Sequence, residues 1–214
     1  MKKVVLIGDS IRMGYDKYVK DALSGVAETY YPAENCRFST YVLRCAHTWK
    51  DEFKCDDDVD LVHWNAGLWD VLELFGDKPL INLDTYADNV ARIDKRLRFL
   101  YPKAKIVFAT STSVNEEIAN PKFMRHNEII KLYNKKAIEV LFSTDTVIND
   151  LYSLTEKFPM DYRSDWVHFY TSQGTEKIGG RVLSIICNLL DIKPNQINIK
   201  DFNPENYSSD DIAY

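Results

Sequence analysis

Three segments of this chain are apolar at nearly every position: VVLIG (4–8), LVHWN (61–65) and IVFAT (106–110). Side chains along a strand point alternately to opposite faces, so such a run needs cover on both sides. That is the environment of a central strand in a parallel sheet. Two further segments, VAETYY (26–31) and TVIND (146–150), are short or alternating and suit the sheet edges. Helical patterns lie between them. Apolar residues recur at Val90, Ile93, Leu97 and Leu100, with Asp84 or Thr85 as cap and Tyr101-Pro102 as stop. Ile129, Leu132, Ala137, Val140 and Leu141 mark a second helix, and Ile178, Val182, Ile185 and Leu189 the last. Shorter helices fit 16–24 and 39–49.

Strand and helix thus alternate about five times, which predicts an α/β fold, a three-layer α/β/α sandwich. Right-handed crossovers and central first, third and fourth strands give a flavodoxin-like, five-stranded parallel sheet in the order 2-1-3-4-5. The 214 residues suit one domain over 1–190, followed by a polar tail over 191–214. That tail is expected to pack over the surface or to be partly disordered.

The net charge is −5 and no Lys/Arg block stands out, so neither nucleic acid nor an anionic membrane is an expected partner. Cys36, Cys45, Cys55 and Cys187 form no C-x-x-C pair and have no His at zinc spacing, so reduced thiols in a cytoplasmic protein are expected. The first apolar run is shorter than the roughly 7–15 residues of a secretory core. The acidic run DDDVD (56–60) reads as a solvated loop rather than a metal site, and no metal or cofactor is expected.

In a sheet of this order ligands bind outside the carboxyl ends of the strands, at the switch between the first and third. The first strand ends on Gly8-Asp9-Ser10 and the third runs into HWNAGLWD (63–70). A serine nucleophile needs a base, and the base an orienting group. Of the four histidines, His63 lies inside a strand and reads as a core residue or one supporting the site. His47 and His126 fall on helices as surface groups. His168 stands just before the last helix with Asp165 three residues upstream, close enough to fix the imidazole tautomer.

Ser10 near the N-terminus and Asp-x-x-His before the final helix together resemble the SGNH, or GDSL-type, hydrolases over roughly residues 3–190. The resemblance implies the same sandwich and an esterase or acylhydrolase activity. It matches Ser10 in IGDSI (7–11) to the nucleophile, and Asp165 and His168 in DWVH (165–168) to its partners. The family's Gly after the second strand, whose N–H joins the oxyanion hole, falls at Cys36 or Arg37, with Arg37 as the expected donor beside the Ser10 N–H. Its G-x-N-D motif aligns with GLWD (67–70), placing Trp69 where the Asn should be. Asn65, two residues before Gly67, is the expected amide donor from a shifted position. Asp70 is expected to order its own loop, and Asp9 to cap the helix after the first strand.

Asn35, Gly67, Trp69 and Trp166 are the expected substrate contacts. Glu34, Arg37, Arg125, Asn127 and Asn134 are further candidates for the mouth, against an ordinary role in helix and loop polarity. Trp49, Trp64, Trp69 and Trp166 fall near strand ends, where aromatic faces can stack on a sugar or fill the core. No long apolar lid segment is present, which favours a short acyl group such as acetyl. The expected partner is a small-molecule ester, with an acetylated sugar as one candidate. An acyltransferase with the same triad and a non-catalytic binding module are the alternatives, the second favoured by Trp69.

Overall fold

In the computed structural model, which describes residues 1–55 and 57–199, the three doubly apolar runs lie side by side. The strands are β1 (Lys2–Ile7), β2 (Ala27–Tyr30), β3 (Leu61–Trp64), β4 (Lys105–Ala109) and β5 (Val147–Asn149). All pairings in this sheet are parallel and the order is 2-1-3-4-5. Ile7, Trp64 and Phe108 sit in one register across the centre. Every residue from Val4 to Ile7 and from Leu61 to Trp64 is buried, as two-sided cover requires.

Seven helices are described: α1 (Ser10–Met13), α2 (Asp16–Ala22), α3 (Ser39–Phe53), α4 (Leu83–Leu100), α5 (Asn127–Leu141), α6 (Tyr152–Thr155) and α7 (Ser172–Leu190). α3, α4 and α5 pack side by side, and α2 packs on α7. Right-handed crossovers put these two groups on opposite faces of the sheet. Two-residue strands, Glu73–Leu74 and Phe123–Met124, add a small antiparallel ribbon. Residues 192–199 lie on the domain: the Asn195 N–H donates to the Ala22 carbonyl, and Ile192, Ile197 and Ile199 pack against the core. Residues 200–214 of the expected tail lie outside the described residues. No helix among the described residues is long and apolar enough to cross a membrane.

Two helices differ in detail from the pattern. α4 begins earlier than Asp84 or Thr85, because the Asn82 side chain caps it by accepting from the Thr85 N–H. On α5 the inward stripe is Ile130, Tyr133, Asn134, Ala137 and Leu141, and Leu132 is exposed. Asn134 turns inward because its amide bonds both the N–H and the carbonyl of Ser111, tying α5 to the loop after β4. Periodicity of apolar residues cannot register a buried amide. In the acidic run, Asp60 and Asp58 pair with Lys2 and Lys3, while Asp56 lies outside the described residues.

His63 is wholly buried in β3, and Asn149 at the end of β5 bonds its Nε2. Burial disfavours the imidazolium and pushes its pKa down to about 4. An unfolded chain would protonate this group near pH 6.5. His63 by itself therefore makes the folded state lose stability as pH falls from about 6.5 towards 4, by about 3 kcal/mol in all, while the buried Asp70 carboxyl, its pKa pushed up to about 6, acts in the opposite sense over the same window. The difference in melting temperature between wild type and His63→Gln, which keeps an acceptor for Asn149, should change across that window by this contribution. A difference that stays constant with pH would assign the effect elsewhere.

Candidate active site

β1 and β3 are paired to their last residues, and the Asn65 N–H donates to the Ile7 carbonyl at 3.0 Å. Gly8 and Asn65 therefore leave the sheet together. A Cβ on residue 8 would fall 2.0 Å from Asn65 Oδ1 and 2.7 Å from the Arg12 Cβ, so only Gly lets the amide lie across this turn. Asp9 caps α1, its Oδ1 accepting from the Ile11 N–H at 3.0 Å. Ser10 is the first residue of α1 and its N–H has no acceptor within the helix.

Ser10 Oγ lies 2.8 Å from His168 Nε2, and His168 Nδ1 lies 2.6 Å from Asp165 Oδ2. The loop makes this possible by curling on itself. Asp165 Oδ1 accepts from the N–H groups of Val167 and His168, and the Ser164 N–H closes the turn on the His168 carbonyl. Burial works against the Asp165 carboxylate, but the His168 hydrogen bond and charge and the two N–H donors outweigh it. Its pKa falls to about 2. With Nδ1–H held by that carboxylate, Nε2 is left to accept from Ser10.

Two residues that no motif marked hold this geometry. The Tyr170 ring stacks on the imidazole, 4.8 Å between centroids, and its hydroxyl donates to the Ser10 carbonyl at 2.5 Å. Arg12 is almost wholly buried; its guanidinium pairs with Asp16 at 2.5 Å and donates to the carbonyls of Glu34 and Gly8. It thereby pins the loop after β2 to the Gly8-Asp9-Ser10 turn. The only sequence trace is the Arg12/Asp16 spacing of an i,i+4 pair. Arg12→Ala would strand a buried carboxylate and two carbonyls. It should cost about 3 kcal/mol, the loss expected when one partner of a buried pair is removed. Thermal denaturation should read this as a drop on the order of 10 °C; a shift of only a degree or two would mean the pair is dispensable.

The expected oxyanion loop differs at Arg37. Its backbone is left-handed (φ 44), where a Gly would be favoured, but its N–H donates to Asn35 Oδ1 at 2.9 Å. The Cys36 N–H goes to the Gly8 carbonyl. Both backbone donors are therefore committed, one within the turn and one to the end of β1. Because Asn35 Oδ1 accepts from Arg37, the Asn35 Nδ2 orientation is fixed, and this buried donor has no hydrogen-bond partner among the described residues. The Asn65 amide lies against Gly8, two residues before Ser10, and its buried Oδ1 has no hydrogen-bond partner among the described residues. Burial raises the pKa of Asp9, and the neighbouring Asn65 amide and the charge of Arg125 act against that rise.

Other expectations resolve into packing. A Cβ on Gly67 (φ 146) would meet Ser111 Oγ at 2.3 Å, so this Gly allows a close approach of two loops. Asp70 reaches beyond its own loop: its carboxylate accepts from the N–H and hydroxyl of Ser39, fastening the start of α3, as well as from its own backbone N–H. Burial pushes the Asp70 pKa up to about 6. Trp64 packs on Phe108 and Trp49 donates to Glu34, both deep in the core. The Arg125 guanidinium lies against the rings of both Trp69 and Trp166, the latter next to Asp165 in the chain. Asn127 and Asn134 bond the backbone of the loop after β4. His47 is exposed, and His126 pairs with Glu116. Among the described residues no group of three His, Cys, Asp or Glu side chains gathers as a metal site would.

No family model matches the chain. It is 26% identical over 95 residues to a GDSL esterase/lipase, WDL1, of Oryza sativa subsp. japonica, a match covering 41% of this chain and 35% of that protein. The chain thus spans about a third of the length of this curated relative. Its fold is similar to a lipase/acylhydrolase from Enterococcus faecalis, with a TM-score of 0.68 and 22% identity over 92% of this chain and 100% of that one. An acetyl xylan esterase, AlAXEase, aligns with a TM-score of 0.68 and 16% identity over 86% of this chain and 99% of that one.

Proposed function

We propose that this chain, built on the fold of the SGNH/GDSL-type hydrolases, is a serine esterase that removes a short acyl group, acetyl above all, from a small-molecule ester. The observation that carries the reading is the unbroken chain from Ser10 Oγ through His168 to Asp165, at 2.8 and 2.6 Å. Ser10 Oγ attacks the ester carbonyl carbon while His168 Nε2 takes its proton. Asp165 stabilises the imidazolium that forms. The carbonyl oxygen becomes an oxyanion, received by the Ser10 N–H, the Asn65 amide and the Asn35 Nδ2. As the intermediate collapses, His168 returns the proton to the leaving alcohol and an acyl-Ser10 remains. Water, deprotonated by His168, then attacks the acyl carbon and releases the acid.

The short acyl group is supported by how little space opens onto the nucleophile: Ser10 and Asn65 are each 4% exposed and His168 6%. The acetyl xylan esterase among the similar structures makes an acetylated carbohydrate the first substrate class to try. Hydrolysis of p-nitrophenyl esters from acetyl to octanoyl tests the reading, together with mass-spectrometric mapping of a fluorophosphonate adduct. Turnover should be highest for acetyl, and the adduct should lie on Ser10. A protein that neither hydrolyses nor is labelled there would be a binding module instead. Added alcohols that capture most of the acyl group in place of water would make it a transferase.

A further inference from the structure

We infer that Arg125 is the charged member of the oxyanion site, its guanidinium supplying the positive field that Trp69 cannot. This rests on the esterase reading above. Trp69 occupies the position where the family motif has an amide donor, and an indole face is electron-rich: it attracts cations and does not favour an oxyanion. A cation is what the ring holds. The Arg125 Cζ lies 5.9 Å from the Trp69 ring centroid and 5.4 Å from that of Trp166, and its Nε–H donates to the Leu68 carbonyl at 2.6 Å.

The placement joins the two halves of the site. Trp69 follows Asn65 by four residues and Trp166 precedes His168 by two, so Arg125 is clamped between the amide-bearing loop and the triad loop. The small ribbon fixes its backbone: Met124 pairs with Glu73 and Phe123 with Leu74, which lays residue 125 beside the chain that leaves β3. Arg125 is 3% exposed, as deep as Ser10. Asp9 is wholly buried next to the nucleophile, and an isolated carboxylate there would oppose charge developing on the ester oxygen. The Arg125 charge reaches Asp9 and favours its ionised form. It therefore offsets Asp9 where the oxyanion forms, and does so in a setting of weak screening, where fixed charges act most strongly.

Arg125→Met and Arg125→Lys test this with neutral p-nitrophenyl acetate, below the melting temperature of each variant. Met keeps an apolar stem between the two rings and removes the charge together with the hydrogen bond to the Leu68 carbonyl, a structural loss that the melting temperature reads separately. It should lower kcat about 10²-fold, the lower end of what one oxyanion donor provides, with KM changed less than about threefold. Lys should recover much of the loss, and labelling of Ser10 by a fluorophosphonate should slow in parallel with kcat. A merely structural Arg125 would lower the melting temperature and leave kcat of the folded protein intact. The inference is overturned if Arg125→Met stays within threefold of wild type in kcat, or if its loss is confined to KM for carboxylate-bearing esters. A wild-type protein with no turnover and no Ser10 adduct would overturn the esterase reading and this inference together.

Discussion

Ser10→Ala should lose at least about 10⁴-fold in kcat on p-nitrophenyl acetate while folding as wild type. The size follows from the mechanism. Without Oγ there is no acyl-enzyme, and what remains is water attacking an ester held against the oxyanion donors. The fold should be indifferent because Ser10 Oγ makes its bond to His168, and α1 is capped by Asp9 and held by Tyr170 through the Ser10 backbone. His168→Ala should fall nearly as far, and the double variant no further, since the two side chains act as one unit. Asp165→Asn should fall less, because the turn still offers an oxygen to the Val167 and His168 N–H groups, yet it can present the wrong group to Nδ1. Losses in the double variant that multiply would mean that Ser10 and His168 do not share a step.

How much of this was legible beforehand depends on whether the signal is local. Val4–Ile7, Leu61–Trp64 and Ile106–Ala109 announce a doubly covered sheet because burial on both faces leaves no polar position in the run. Asp165 and His168 are legible because three residues separate them, and the loop that joins them needs only its own hydrogen bonds. What escapes is whatever is satisfied at long range. Arg12 looks like a surface cation until Asp16 and two carbonyls enclose it. Asn35 and Asn134 stand out in sequence only as candidates to touch a substrate, and nothing local shows what they bond. One becomes a poised donor and the other a buttress only when Arg37 and Ser111 arrive. The tryptophans divide the same way: composition cannot tell Trp64, sealed against Phe108, from Trp69, wrapped on Arg125. Sequence finds the chemistry where one loop carries it. The support, drawn from β2, the ribbon and α7, is a property of the assembled sheet ends.

Asn65→Ala should lower kcat by about 10²–10³-fold with little change in melting temperature, and this pairing of effects is the sharper test. Trp69 stands where the SGNH-type motif that this segment resembles has its amide donor, so if the oxyanion receives a side-chain amide from this strand end it must come from Asn65. The geometry allows it. Asn65 leaves β3 beside Gly8, whose missing Cβ is what lets the amide lie across the turn that carries Ser10. Stability should barely respond because the amide contributes little to the resting fold. Its Oδ1 is buried without a partner, and an unsatisfied buried acceptor costs about 1–3 kcal/mol. Removing it relieves that cost and offsets the lost favourable contact with Asp9. Steady-state kinetics and calorimetry on the same preparation decide the matter. A fall in kcat below about tenfold would leave the oxyanion to the Ser10 N–H, Asn35 and the field of Arg125. A collapse in melting temperature would make Asn65 a strut of the strand end rather than part of the chemistry.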